Sequence, residues 1–183
     1  LQIVENLSEQ KKNEVLTKIP LEGKNILEQT LSTYPEDSAA RIMQREFAAV
    51  PQGWTVGQTI DYLRETKELP KDFFEIFIIN QLNIPVGSVA SSRILRTERE
   101  VKMSEIMKNN KFLVPAEMDK EQVAYNFEQY SLFSAGVVDK NNHLIGMITG
   151  DDIVTVIKEE AEEDTLRLAG VSDEEISDSA FSI

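Results

Sequence analysis

From about Ala48 the apolar positions fall into short β-rich runs separated by stretches with helical spacing, and the same order occurs twice. Val50-Pro51 opens one unit and Val114-Pro115 the other. Each continues with apolar residues three or four apart, Val56, Ile60 and Leu63 in the first and Val123, Phe127 and Tyr130 in the second, which predicts a helix. A strand follows at 76–79 or 136–138, then a polar turn, a second strand through Gly87 or Gly146, and another helix. Neither β-α-β-β-α unit covers its apolar strands alone, so the two are expected to pack sheet against sheet as a pseudo-symmetric pair. The predicted class is α/β. The units differ mainly by extra residues near 65–72.

Ahead of the pair the spacing changes. Leu1, Val4 and Leu7, then Val15, Leu16 and Ile19, then Ile26, Leu27 and Leu31 recur as on helices, punctuated by Pro20 and Gly23. This stretch is too short for a core of its own and reads as the tail of a larger helical unit.

Composition narrows the possible partners. The 183 residues carry 32 Asp plus Glu against 19 Lys plus Arg, a net charge of −13. Nucleic acid and anionic membrane surfaces both select basic footprints, so both are disfavoured. At 41% hydrophobic, the chain has apolar material for one or two small cores. It has no Cys and one His, His143, which removes disulfides, thiolate metal sites and a zinc or His-based catalytic centre. No nucleophile and base pair can be named, so catalysis is not expected. The absence of Cys fits an intracellular location. No apolar run approaches the ~20 residues of a spanning helix, and the start has neither Met nor a basic-then-apolar leader, as expected of a piece cut from a longer chain.

The charge is also unevenly placed. Between 151 and 178 stand eleven acidic and two basic residues, −9 of the total of −13. Asp151, Asp152, Glu159, Glu160, Glu162, Glu163 and Asp164 lie on the last predicted helix, with like charges at i, i+3 and i, i+4. Each such pair costs a few tenths of a kcal/mol, roughly, unless a cation intervenes. Two readings follow: a solvated acidic face, or a site for hydrated magnesium, which takes oxygen ligands and needs only one or two carboxylates.

Gly146-Met-Ile-Thr149-Gly-Asp-Asp152, closing a β-α-β-β-α repeat, resembles the CBS domain. A wider string narrows the resemblance: Tyr34-Pro-Glu-Asp-Ser-Ala39, Glu105-Ile-Met107, and Ala161-Glu-Glu-Asp164 followed by Ala169-Gly-Val171. That order is similar to the cytosolic part of the MgtE family of magnesium channels. The resemblance implies 1–47 as the end of a helical N domain and linker, 48–110 and 111–164 as CBS domains, and 165–183 as the start of a connecting plug helix. It also implies a homodimer through the CBS domains and a transmembrane domain beyond this chain. The location implied is the cytoplasmic side of a membrane, with regulation by Mg2+. In that family acidic residues of this helix are neutralised by magnesium. The matching positions are Asp152, Glu160, Glu163 and Asp164, with Glu121 on the second unit's first helix. Ser131 and Thr155 depart from family acids, so fewer or weaker ion sites are expected.

The CBS resemblance also implies a second kind of ligand. Thr149 and Asp152 match the Ser/Thr-x-x-Asp pair whose Asp binds the ribose of ATP or AMP, although Thr149 is better read as a helix N-cap. The first unit has Ala90 and Arg93 at those places, and Leu132 replaces a stacking aromatic. An adenine-nucleotide-binding module of another transporter or enzyme is therefore the alternative. His143, within Asp139-Lys-Asn-Asn-His143, is read as a hairpin turn, Thr55 as an N-cap beside a packed Trp54, and Met103, Met107 and Met118 as core fillers.

Overall fold

The computed structural model describes residues 33–109 and 112–169, so the helices expected over 1–33 and the tail after 169 lie outside the described residues. The elements are α1 (Ala39–Ile42), β1 (Ala49–Pro51), α2 (Val56–Glu65), β2 (Glu75–Ile79), β3 (Pro85–Ala90), α3 (Ser91–Leu95) and α4 (Met103–Ile106). They continue with β4 (Lys108–Asn109), β5 (Val114–Pro115), α5 (Lys120–Tyr130), β6 (Ser134–Val138), β7 (Leu144–Thr149) and α6 (Gly150–Ala169). The expected β-α-β-β-α order is present twice.

Matching local chemistry builds both units. Thr55 and Gln58 form a reciprocal capping box at the start of α2, and the Asp119 carboxylate accepts the N–H groups of Glu121 and Gln122 at the start of α5. The hairpins close alike: Asn80 Oδ1 accepts from the Leu82 and Ile84 N–H groups, and Asp139 Oδ1 from those of Asn141 and His143. Asn83 and Asn142 supply the left-handed residues, at φ 59° and 62°. His143 sits in a turn, as its surroundings predict. Trp54 packs edge-on to Tyr62, Met103 is fully buried, and Met107 and Met118 pack against the cores. Tyr130 departs from its expected place on the apolar face of α5: it is 56% exposed and lies over Phe112.

In the first sheet β1 runs parallel to β2, which pairs antiparallel with β3, and β3 with β4. The second repeats this with β5, β6 and β7, and both carry a register shift at the same step, Ile78/Ile79 and Val137/Val138. One core gathers around Ile76, Ile78 and Val89, the other around Val123, Val137 and Ile148. Phe77, Leu144 and Met147 fill the space between, where sheet meets sheet.

The stretch before each unit crosses to the other. Met103 and Ser104 donate their N–H groups to the Trp54 and Gln52 carbonyls, and β4 then completes the first sheet. Sixty-four positions earlier, Ala39 and Ala40 donate to Met118 and Ala116, and Gln44 exchanges both backbone bonds with Met147 at the edge of the second sheet. Residues 34–44 thus form a strap that precedes the first unit but is built into the second. Glycine is required where the crossings pass. A Cβ on Gly87 would lie 2.7 Å from the Lys108 carbonyl oxygen, and one on Gly146 2.7 Å from that of Gln44.

Candidate functional site

The carboxylates of α6 do not act as one set. Asp152 lies in the first turn, where a negative charge is favoured by the helix dipole. Its Oδ2 accepts the backbone N–H and the hydroxyl of Thr149, both at 2.8 Å, so Thr149 and Asp152 lock together around the helix start. The strap supplies a third donor: Gln44 Nε2 lies 3.1 Å from Oδ2 and 3.3 Å from Oδ1 of Asp152. The carboxylate that would meet a ribose hydroxyl is filled from within the chain.

Two turns on, α6 packs against α5. Lys120, the first residue of α5, places its ammonium 3.0 Å from Glu160 and 3.1 Å from Asp37 of the strap, with its side chain only 14% exposed. Burial disfavours a charged lysine, but the hydrogen bonds from Glu160 and Asp37 outweigh it, and the pKa of Lys120 rises well above the usual lysine range. Glu121, the next residue, is fully exposed and faces the same helix. Its carboxyl shares a hydrogen bond with that of Glu160. That contact, then the charges of Glu160, Asp119 and Asp164, raise its pKa.

The structure therefore brings two of the five sequence-predicted metal residues together, Glu121 and Glu160, and the charge of a third, Asp164, reaches Glu121. It sets two apart. Glu163 faces Arg167 one turn along the exposed side of α6, at 3.4 Å, and Asp152 serves the helix start. Among the described residues, no group of three or more His, Asp or Glu side chains is arranged to hold a metal ion. A hydrated magnesium ion does not need one, because it keeps most of its waters and takes one or two carboxylates. The Glu121–Glu160 pair is the place where a cation would relieve a repulsion the fold leaves standing. Ser131 supplies no carboxylate and ends α5 in the left-handed conformation, at φ 50°. Lys120, Asp37 and Gln44 were not anticipated as site residues. In the first unit, Arg93 stands at the place of Asp152 and, with Ser92, Arg96 and Thr97, lines an open hollow of about 400 Å3.

The model of the CBS domain matches residues 103–159. Magnesium transporter MgtE of Bacillus subtilis (strain 168) is 33% identical over 141 residues, 77% of this chain and 31% of the relative. A crystal structure of the cytosolic domain of the Mg2+ channel MgtE in complex with ATP superposes with a TM-score of 0.75 at 24% identity, covering 85% of this chain and 62% of that one. A second, of the soluble part of a magnesium transporter, gives 0.77 at 24% identity over 86% and 61%. The chain is an MgtE-family CBS region. It spans about a third of the length of the curated MgtE relative, and the superpositions carry the fold. Relative to the MgtE expectation, Asp152, Glu160, Glu163, Asp164 and Glu121 all lie on α5 or α6. No helix among the described residues is long and apolar enough to cross a membrane.

Proposed function

We propose that this chain is the magnesium-sensing regulatory part of an MgtE-like magnesium transporter, on the cytoplasmic side of the membrane. The observation that carries the reading is the meeting of Glu121 with Glu160 on a chain similar to magnesium transporters. At low magnesium these like charges repel across α5 and α6. Bound magnesium neutralises them and favours a compact assembly, and it shifts that equilibrium only by its differential affinity for the two states. Glu163 and Asp152 join the ion-binding face once a second subunit or the missing domains stand opposite.

The partners are a second copy of the chain and the transporter's own membrane domain. Leu95 on α3 and Val154 on α6 hold equivalent positions in the two repeats and are both well exposed, with Ile157 one turn beyond Val154. A pair of matching apolar points suits a symmetric contact between CBS pairs.

The test is scattering and protease protection as MgCl2 is titrated from zero to about 20 mM, a range suited to a weak carboxylate site. A smaller radius and slower cleavage with magnesium, lost in Glu121→Gln with Glu160→Gln, are expected. An unchanged radius and cleavage pattern would overturn the reading.

The alternative, an adenine-nucleotide-binding CBS module, has Thr149 with Asp152 and the ATP complex of a similar domain in its favour. It must displace Gln44 from Asp152. Calorimetry with ATP and AMP separates the two: nucleotide heat that disappears in Asp152→Ala, with no response to magnesium, would favour the alternative.

A further inference from the structure

Val56 and Lys120 open the first helices of the two units from equivalent positions, sixty-four residues apart. Each donates its N–H to the segment that closes its unit, Val56 to the Val101 carbonyl at 2.8 Å and Lys120 to that of Asp37 at 2.7 Å. In the first unit the side chain is apolar and fully buried. A cation in the first turn of a helix opposes the helix dipole, so neither the shared fold nor α5 itself calls for a lysine here.

What Lys120 answers is the charge beside it. Its ammonium reaches Glu160 of α6 and Asp37 of the strap, and with the side chain only 14% exposed it does not swing away into solvent as a surface lysine does. Glu160 is also the residue that meets Glu121. One carboxylate therefore faces a fixed positive charge on one side and, on another, the like charge on which the magnesium reading relies. Glu160 is 23% exposed, so an ion still reaches it. An ion that does so joins a carboxylate already partly neutralised, and two positive charges then stand a few ångströms apart.

We propose that Lys120 sets the magnesium threshold of this chain, as a resident cation that weakens the hold of Glu160 and Glu121 on a dication. The inference rests on the magnesium reading above and adds a determinant of its affinity. Both cations share Glu160, since the ammonium keeps Asp37 as its second partner. The strap stays where it is, tied to α6 through Gln44 and Asp152 and to the second unit by its backbone bonds, so ion binding goes together with a more compact, better protected assembly. In water, a unit charge and a dication a few ångströms apart repel by an amount worth about five- to tenfold in affinity. Without the charge of Lys120 the response begins at lower magnesium by that factor.

Calorimetry with MgCl2 at constant ionic strength on the 183-residue chain measures this. Lys120→Met places an apolar side chain where the first unit has valine, Lys120→Gln removes the charge but keeps a polar side chain, and Lys120→Arg keeps the charge. Lys71→Met, at an exposed position of the first unit, removes an equal charge and serves as the control. The Kd for magnesium should fall about five- to tenfold in Lys120→Met and Lys120→Gln, and stay within about twofold of the parent in Lys120→Arg and Lys71→Met. Thermal unfolding in the same buffers gives an independent readout: magnesium should raise the midpoint more in Lys120→Met than in the parent, because a tighter ligand stabilises the fold further. Equal or weaker affinity in the two neutral variants would overturn the inference and leave magnesium sensing standing. So would an equal gain in Lys71→Met, which would put the effect down to net charge. No magnesium heat in any of these chains would overturn both. Heat in the neutral variants alone would uphold the role of Lys120 and overturn sensing by this site in the parent.

Discussion

Phe74 and Phe133 occupy the same position in the two repeats, and their rings meet across the join with centroids 6.3 Å apart. Each precedes the middle strand of its sheet, and the carbonyl of each accepts an N–H from the start of the unit's last helix, Ser91 at 2.8 Å and Gly150 at 3.0 Å. Their neighbours also meet: Glu75 accepts a hydrogen bond from the Ser134 hydroxyl at 3.0 Å. The pseudo-twofold axis therefore passes between paired equivalents. Although both rings are largely exposed, a double-mutant cycle with Phe74→Ala and Phe133→Ala should give a coupling of about 0.5 kcal/mol in urea unfolding. Strict additivity would mean that the rings do not meet in solution.

The crossings make a sharper prediction about glycine. Gly146→Ala and Gly87→Ala each press a Cβ against a backbone oxygen, which cannot swing away as a side chain would, and should cost about 1–3 kcal/mol. Gly53→Ala meets nothing within 4 Å and should leave stability within about 0.5 kcal/mol. Equal unfolding midpoints for all three variants would contradict the packing of Gln44 and Lys108 over the strands.

Asp152 should matter to stability whether or not any ligand is present. Asp152→Ala removes the acceptor for Thr149 and Gln44 together, and should cost about 1–2 kcal/mol, in the range of a lost helix cap. Thermal unfolding in metal-free, nucleotide-free buffer measures it. An unchanged melting temperature would show that the contact of strap and helix contributes nothing to the fold.

The Glu121–Glu160 repulsion has a signature in pH. A carboxyl whose pKa is raised on folding stabilises fully below its unfolded value, and that contribution is lost as pH rises through the folded value. At neutral pH Glu121 is thus a cost, and Glu121→Gln should melt higher than the parent. The gap should close on acidification through the carboxylate range, and also on adding magnesium at neutral pH. A gap that is constant in pH would place the effect elsewhere than in this charge.

Elements governed by neighbours in the chain were legible in the sequence. The cap at Thr55, the hairpin turn at 139–143 and the strands through Gly87 and Gly146 all act over a few residues. The strap was not legible as structure, because 39–44 has no strand periodicity and its partners lie more than seventy residues on. One signal existed: Ile42-Met43, then Val50-Pro51, recurs as Ile106-Met107, then Val114-Pro115, at a constant offset. It extends the repeat ahead of the boundaries at 48 and 111. The site was half legible. An acidic helix is plain from composition, but nothing local shows that Lys120 would be drawn to Glu160, forty residues away, or Gln44 to Asp152.

The crossed segments also bear on how the molecule can be divided. A fragment beginning at residue 112 holds every element of the second unit except the stretch that closes its sheet, which lies before the first unit. Its β7 would present a bare, unpaired edge to solvent, an invitation to intermolecular pairing. The smallest piece of chain able to fold as the second half is discontinuous, whereas residues 48–109 hold the first half and the stretch that closes it. Permuting the order, so that 38–45 leads directly into 112–169, would be the economical way to isolate one half as a monomer.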